Sequence, residues 1–225
     1  MCFFATKSSM KIRMKRKLAV VLLICISCHI GWAAQDFVWK SGQNMKVVCD
    51  TTEAPVVKVA LDLLKRDCRS VLSGEISRSE NTGNIYVGTW GESSVLQALA
   101  ETHQLDVAQL NEHKEAFLLN VLPDGRLVVA GSDKRGTAYG VLELSRMMGV
   151  SPWEWWADAV PEKKEEFRLP AGFRKLDYPQ VAYRGIFIND EDWGLTPWSW
   201  KHYEPSERKG QIGPKTHARI FELLL

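Results

Sequence analysis

The sequence holds 225 residues, 45% hydrophobic and 25% charged, with a formal charge of +2, values that suit a water-folding chain and argue against disorder or a membrane-embedded body. Lys11, Arg13, Lys15, Arg16 and Lys17 supply the positive excess. The remainder is slightly acidic and carries no basic stripe, which argues against nucleic acid as a partner.

Read from the start, Met10 onward has the form of a secretory leader. The basic cluster is followed by an apolar run from Leu18 to Cys28 and by small residues, Gly31 and Ala33, spaced for cleavage after Ala33 or Ala34. The run is well short of the roughly 20 residues a membrane-spanning helix needs, so no stable membrane insertion is expected once the leader is removed. Met1 to Ser9 read as an upstream start. Cys28 raises a lipoprotein anchor as an alternative, weakened by Cys25 where a lipobox carries Leu. The expected location is secreted or periplasmic, with residues 1–34 as signal peptide.

Residues 35–165 alternate strand and helix patterns, which predicts an α/β domain with a mixed sheet. Met45–Cys49 reads as a short buried strand, with Thr51 and Thr52 as cap candidates and Pro55 in the first turn of a helix. Val56, Val59, Ala60, Leu63, Leu64 and Val71 recur at helical spacing through it. Asn84–Gly88 is a second strand and Ser93–Ala100 a short helix. Glu115–Val121 and Arg126–Ala130 flank Pro123-Asp124-Gly125, a hairpin signature. A further helix starts near Asp133 and stops at Gly149. Cys49 and Cys68 lie on a strand and far along the next helix, too distant for a bridge, and both read as buried apolar groups.

The charged stretch Glu162–Glu166, with Pro161 and Pro170, marks a connector over 166–180. Val181–Ile188 is then an apolar run broken only by Arg184 and Gly185, the pattern of a strand buried on both faces. A polar and aromatic loop follows from Asn189 to Gln211. Pro214 opens a helix with His217, Ile220, Phe221 and Leu224 at helical spacing. Strand, loop and helix together read as the first β/α unit of a barrel over 181–225, truncated before its partners.

In such barrels the loops after the strands build the site. Here that position holds Asn189-Asp190-Glu191-Asp192-Trp193, with Trp198 and Trp200 nearby. Carboxylates beside flat aromatic faces suit proton transfer to a positioned sugar, although a solvated acidic loop over a tryptophan core has the same composition. Lys134, Arg135, Gly136 and Gly140 sit at the start of the helix that ends at Gly149; Gly131 to Gly136 is not a phosphate loop, since the required Lys-Ser/Thr pair does not follow it, and the glycines read as close helix packing. His103, His113, His202 and His217 lack metal-ligand spacing, and the residues point to no metal or cofactor.

Gly131–Asp158 (GSDKRGTAYGVLELSRMMGVSPWEWWAD), Tyr183–Trp200 (YRGIFINDEDWGLTPWSW) and Ile212–Leu225 (IGPKTHARIFELLL) resemble the hallmark runs of the family 115 glycoside hydrolases, the xylan α-glucuronidases. The resemblance implies an N-terminal α/β domain like that of hexosaminidases and family 67 α-glucuronidases, then a (β/α)8 catalytic barrel. It implies removal of glucuronic or 4-O-methylglucuronic acid from xylan, a glucuronoxylan-like polysaccharide substrate, with inversion. It also implies Asp190 as an active-site carboxylate, with Arg184, Asn189, Glu191, Trp193 and Trp198 around the substrate. A buried ion pair is the other reading of Arg184. For Pro152–Asp158 two readings stay open, a contribution to the pocket or packing between domains. The competing functions are a non-catalytic carbohydrate-binding module and a hexosaminidase-like hydrolase.

Overall fold

A computed structural model describes residues 33–102, 105–188, 193–205 and 209–225; the proposed leader therefore lies almost entirely outside the described residues. From Ala34 to Leu225 the chain forms one compact unit. Its strands are β1 (Phe37–Lys40), β2 (Asn44–Cys49), β3 (Glu75–Ser79), β4 (Ile85–Thr89), β5 (Phe117–Val121), β6 (Leu127–Gly131), β7 (Glu166–Leu169) and β8 (Arg174–Asp177). Its helices are α1 (Pro55–Leu72), α2 (Ser94–Glu101), α3 (Lys134–Met148), α4 (Leu195–Trp198) and α5 (Pro214–Leu224), with a π-turn at Ser199–Tyr203 after α4.

The main sheet has six strands in the order β3-β2-β4-β6-β5-β8. The β2–β3, β2–β4 and β4–β6 pairs are parallel, whereas β5 is antiparallel to both β6 and β8. The sheet is therefore mixed, as the alternating sequence pattern predicts. Period-two alternation assigns its side chains to two layers. Ile85, Val87, Leu127 and Val129 join the core under α1 and α3, whereas Tyr86, Val128 and Ala130 join the one that includes Leu96 and Leu99 of α2. A separate β1–β7 ribbon is antiparallel and adds Phe37, Trp39, Phe167 and Leu169 to the first core.

The helix ends follow local chemistry. Ser93 caps α2 through a bond accepted from the Leu96 amide, and Asp133 caps α3 by accepting from the Arg135 and Gly136 amides. Gly149 ends α3 at φ 100°, a left-handed conformation that glycine adopts without strain. Thr51 and Thr52 do not cap α1: Ala54 holds that position without a side-chain bond, and Pro55 supplies the preset backbone. Cys49 and Cys68 are free and buried, and burial first of all pushes both thiols up to about 11.

Two sequence expectations are corrected. The 166–180 stretch is not a bare connector, since β7 pairs with β1 and β8 extends the main sheet. Val181–Ile188 is not a buried strand. It has no strand assignment and is exposed throughout, with Tyr183 97% and Phe187 89% accessible. A central strand is buried only when neighbours satisfy both its edges and cover both faces; among the described residues, no strand pairs with this run.

Candidate functional site

Asn189, Asp190 and Glu191 lie outside the described residues, so the acidic part of the expected site has no described geometry. The residues on either side of it are described, and they fall into two groups.

The first group is ionic. Arg184 of the exposed run pairs with Glu115, donates from Nη1 to the Val181 carbonyl at 2.7 Å and meets the Tyr139 hydroxyl at 3.4 Å. Glu115 also pairs with Arg135. The bond from Arg184, followed by that from Arg135, holds the Glu115 carboxyl below its ordinary range against the opposing effect of partial burial. Arg184 is correspondingly held further towards its charged form, chiefly by Glu115. The ion-pair reading of Arg184 thus has a specific partner, although the pair lies between the exposed run and the body rather than inside a barrel.

The second group is aromatic. Trp198 of α4 stacks on Tyr203 with ring centres 5.3 Å apart and planes 12° from parallel. Trp155 and Trp156, from the turn after α3, lie 6.0 and 6.1 Å from Trp198. Arg219 of α5 sits 4.9 Å over the Trp155 ring, and the Trp156 indole donates to the Arg219 carbonyl at 3.2 Å. Trp155 and Trp156 therefore pack the body against the helices that follow and also line a hollow beside them, so the run has features of both of its readings. Trp193 is 82% exposed and Trp153 53%.

Beside these groups is a hollow of about 430 Å³, lined by Tyr139, Trp155, Trp156, Arg66, Glu154 and Arg219 among others. That size lies within the range of small-molecule clefts. Most of its charges are already engaged, as Arg66 pairs with Asp67, Glu154 and Glu222. Tyr139 touches both the hollow and Arg184.

A buried carboxylate escaped the sequence reading. Glu204 is 2% exposed, and it accepts from the Lys215 and Thr216 amides at 3.1 and 2.9 Å and from the Thr216 hydroxyl at 2.7 Å. It thereby caps α5 from outside the helix, where the exposed amides and the helix dipole favour an anion. Nothing marks it in the sequence, because the cap and the capped amides are separated by a loop. His217 likewise serves locally, its Nδ1 meeting the Gly213 carbonyl at 3.0 Å, and His113 stacks on Tyr178; His103 lies outside the described residues.

The model of glycosyl hydrolase family 115 matches residues 176–225. A solved structure of a family GH115 4-O-methyl-α-glucuronidase with specificity for decorated arabinogalactans is 60% identical, with a TM-score of 0.78, over 84% of this chain and 24% of its own. The chain belongs to glycoside hydrolase family 115. Identity at that level over most of the chain cannot come from a shared fold alone. This family 115 chain spans about a quarter of that relative's length. An exo-β-N-acetylglucosaminidase from Vibrio harveyi is 15% identical over 67% of this chain and 18% of its own, with a TM-score of 0.39. A β-N-acetylhexosaminidase from Bacteroides fragilis is 16% identical over 68% and 25%, with a TM-score of 0.34. Neither bears on the reading of the site at those scores. No curated protein matches the chain.

Proposed function

We propose that this chain is the N-terminal part of a glycoside hydrolase that removes glucuronic or 4-O-methylglucuronic acid from a decorated polysaccharide. The 60% identity to a 4-O-methyl-α-glucuronidase carries this reading. A substrate of that kind has a carboxylate and hydroxyls for Arg184 and Asn189 to bind, and a ring face for Trp193 or Trp198. Asp190 is the proposed active-site carboxylate, with Glu191 beside it. Inversion requires two carboxyl groups ~6.5–9.5 Å apart with a water between them. The partner of Asp190 is assigned to a part of the enzyme outside these 225 residues. The leader sends the protein out of the cytoplasm, where its polymeric substrate is.

The sequence resemblance points to glucuronoxylan, whereas the relative's specificity favours a decorated arabinogalactan. Incubating the full-length gene product with each polymer, and measuring the acid released, decides between them. Release from neither polymer, with N-acetylhexosamine freed from a chitooligosaccharide instead, rejects the glucuronidase reading. Polymer binding without any release favours a binding module.

A further inference from the structure

Glu115 is held in a manner that its place at a hairpin entrance does not require. Its backbone lies at φ 55°, a left-handed conformation uncommon for a side chain of this kind. Its amide donates to the Asp133 carboxylate at 2.8 Å. The next carbonyl, of Ala116, presses on Gly136 so closely that a Cβ there would stand 2.0 Å from the oxygen. Residue 115 is therefore pinned to the first turn of α3. Its side chain is only 14% exposed, and its two oxygens are divided, one receiving Arg135 and the other Arg184.

Arg184 is 69 residues away in sequence, on a run with no β-partner among the described residues. A guanidinium on such a run would sample many rotamers, and each would have to be given up on binding a ligand. Here the Glu115 carboxylate, the Tyr139 hydroxyl and the Val181 carbonyl receive its donors and fix the plane of the fork. We propose that Glu115, supported by Tyr139, is a positioning residue that orients Arg184 towards the uronic acid of the substrate. The inference rests on the substrate-binding reading of Arg184 given above and adds to it a part played by the α/β body.

The test uses the full-length gene product and a glucuronosyl-decorated polymer. Glu115→Gln is expected to raise KM on the order of tenfold while kcat changes by less than about threefold, because the loss falls on a binding contact. In an Arg184→Met background the same substitution is expected to have no further effect. Glu115→Asp, which keeps the charge, should recover part of the lost KM. If Glu115→Gln does not fold, Tyr139→Phe takes its place, with a KM rise of about threefold that also vanishes in the Arg184→Met background. A silent Glu115→Gln in an active enzyme, or an equal effect in both backgrounds, overturns the proposal. A wild type that releases no glucuronic acid overturns the function reading instead. The tether is then judged separately on the 225-residue chain: trypsin should cut after Arg184 several-fold faster in Glu115→Gln than in wild type, and an unchanged rate rejects the contact.

Discussion

Glu204 shows how one side chain can set the pH response of an element. Burial alone would raise its carboxyl, but the Thr216 amide and hydroxyl, the Lys215 amide and the Ser199 hydroxyl together hold it below its ordinary value of 4.5. A carboxyl lowered in the folded state stabilises that state above its unfolded value, and the contribution fades as pH falls through the folded one. The start of α5 should therefore loosen as pH drops below 4.5. Glu204→Gln should bring the same loosening to neutral pH and reduce its further growth in acid. Hydrogen exchange at Lys215 and Thr216 measures both effects, and equal protection in wild type and variant at pH 7 would contradict them. Asp133 works at a second helix start and by its charge-assisted bonds reaches the Arg135, Gly136 and Glu115 amides. Asp133→Ala should cost about 1–2 kcal/mol of stability, the upper part of the range for a lost N-cap. Urea unfolding checks this, and a loss under about 0.3 kcal/mol would mean that the cap is dispensable.

Among the elements, α4 and α5 depend more on aromatic contacts than on their own propensity. α4 has four residues, too few to persist alone in water. Trp155, Trp156, Trp198 and Tyr203 gather around it instead. Aromatic pairs of this type contribute about 0.5–1.5 kcal/mol each beyond their buried area. Trp155→Ala removes several at once and should release 195–203 to protease well before the sheet unfolds; coincident loss of both would show a single cooperative unit. The sequence was informative to very different degrees along these elements. β2, β4, the β5–β6 hairpin, α1, α3 and α5 are readable because hydrophobic period and stop residues agree there. β3 (EISRS) and β8 (RKLD) lie at the sheet edges, where one flank needs no apolar neighbour, and their polar composition conceals them. Val181–Ile188 misleads in the opposite sense, since apolar content reports what a segment would bury and not whether partners are present. The site is legible in the same uneven way. Arg184 and the tryptophans stand out by residue type, whereas Glu115 and Tyr139 acquire a role only because the fold brings α3 and the hairpin entrance to Arg184.

For the molecule as a whole, the apolar surface beyond β8 is the feature with the clearest consequence. Val181, Tyr183, Ile186, Phe187 and Ile188 are all exposed on one run. Phe221 and Leu224 of α5 add 61% and 45% exposure, whereas Ile220 is buried at 5%. Exposed apolar side chains gathered on one short run of this kind form a hydrophobic template for association. Association through it should be concentration-dependent and should strengthen with kosmotropic salt, because burial of apolar area is its driving force. The surface charge opposes it only weakly: the formal charge of the whole sequence is just +2, and residues 34–225 without the basic N-terminal cluster are only slightly acidic. Gel filtration of residues 34–225 across a hundredfold range of concentration should show a shift from monomer to larger species. Phe187→Lys together with Ile186→Glu should hold the chain at the monomer position while leaving its far-ultraviolet circular dichroism intact, since neither side chain is part of either core. If the double variant associates as strongly as wild type, the run is not the contact, and the exposed end of α5, with Phe221 and Leu224, becomes the surface to substitute.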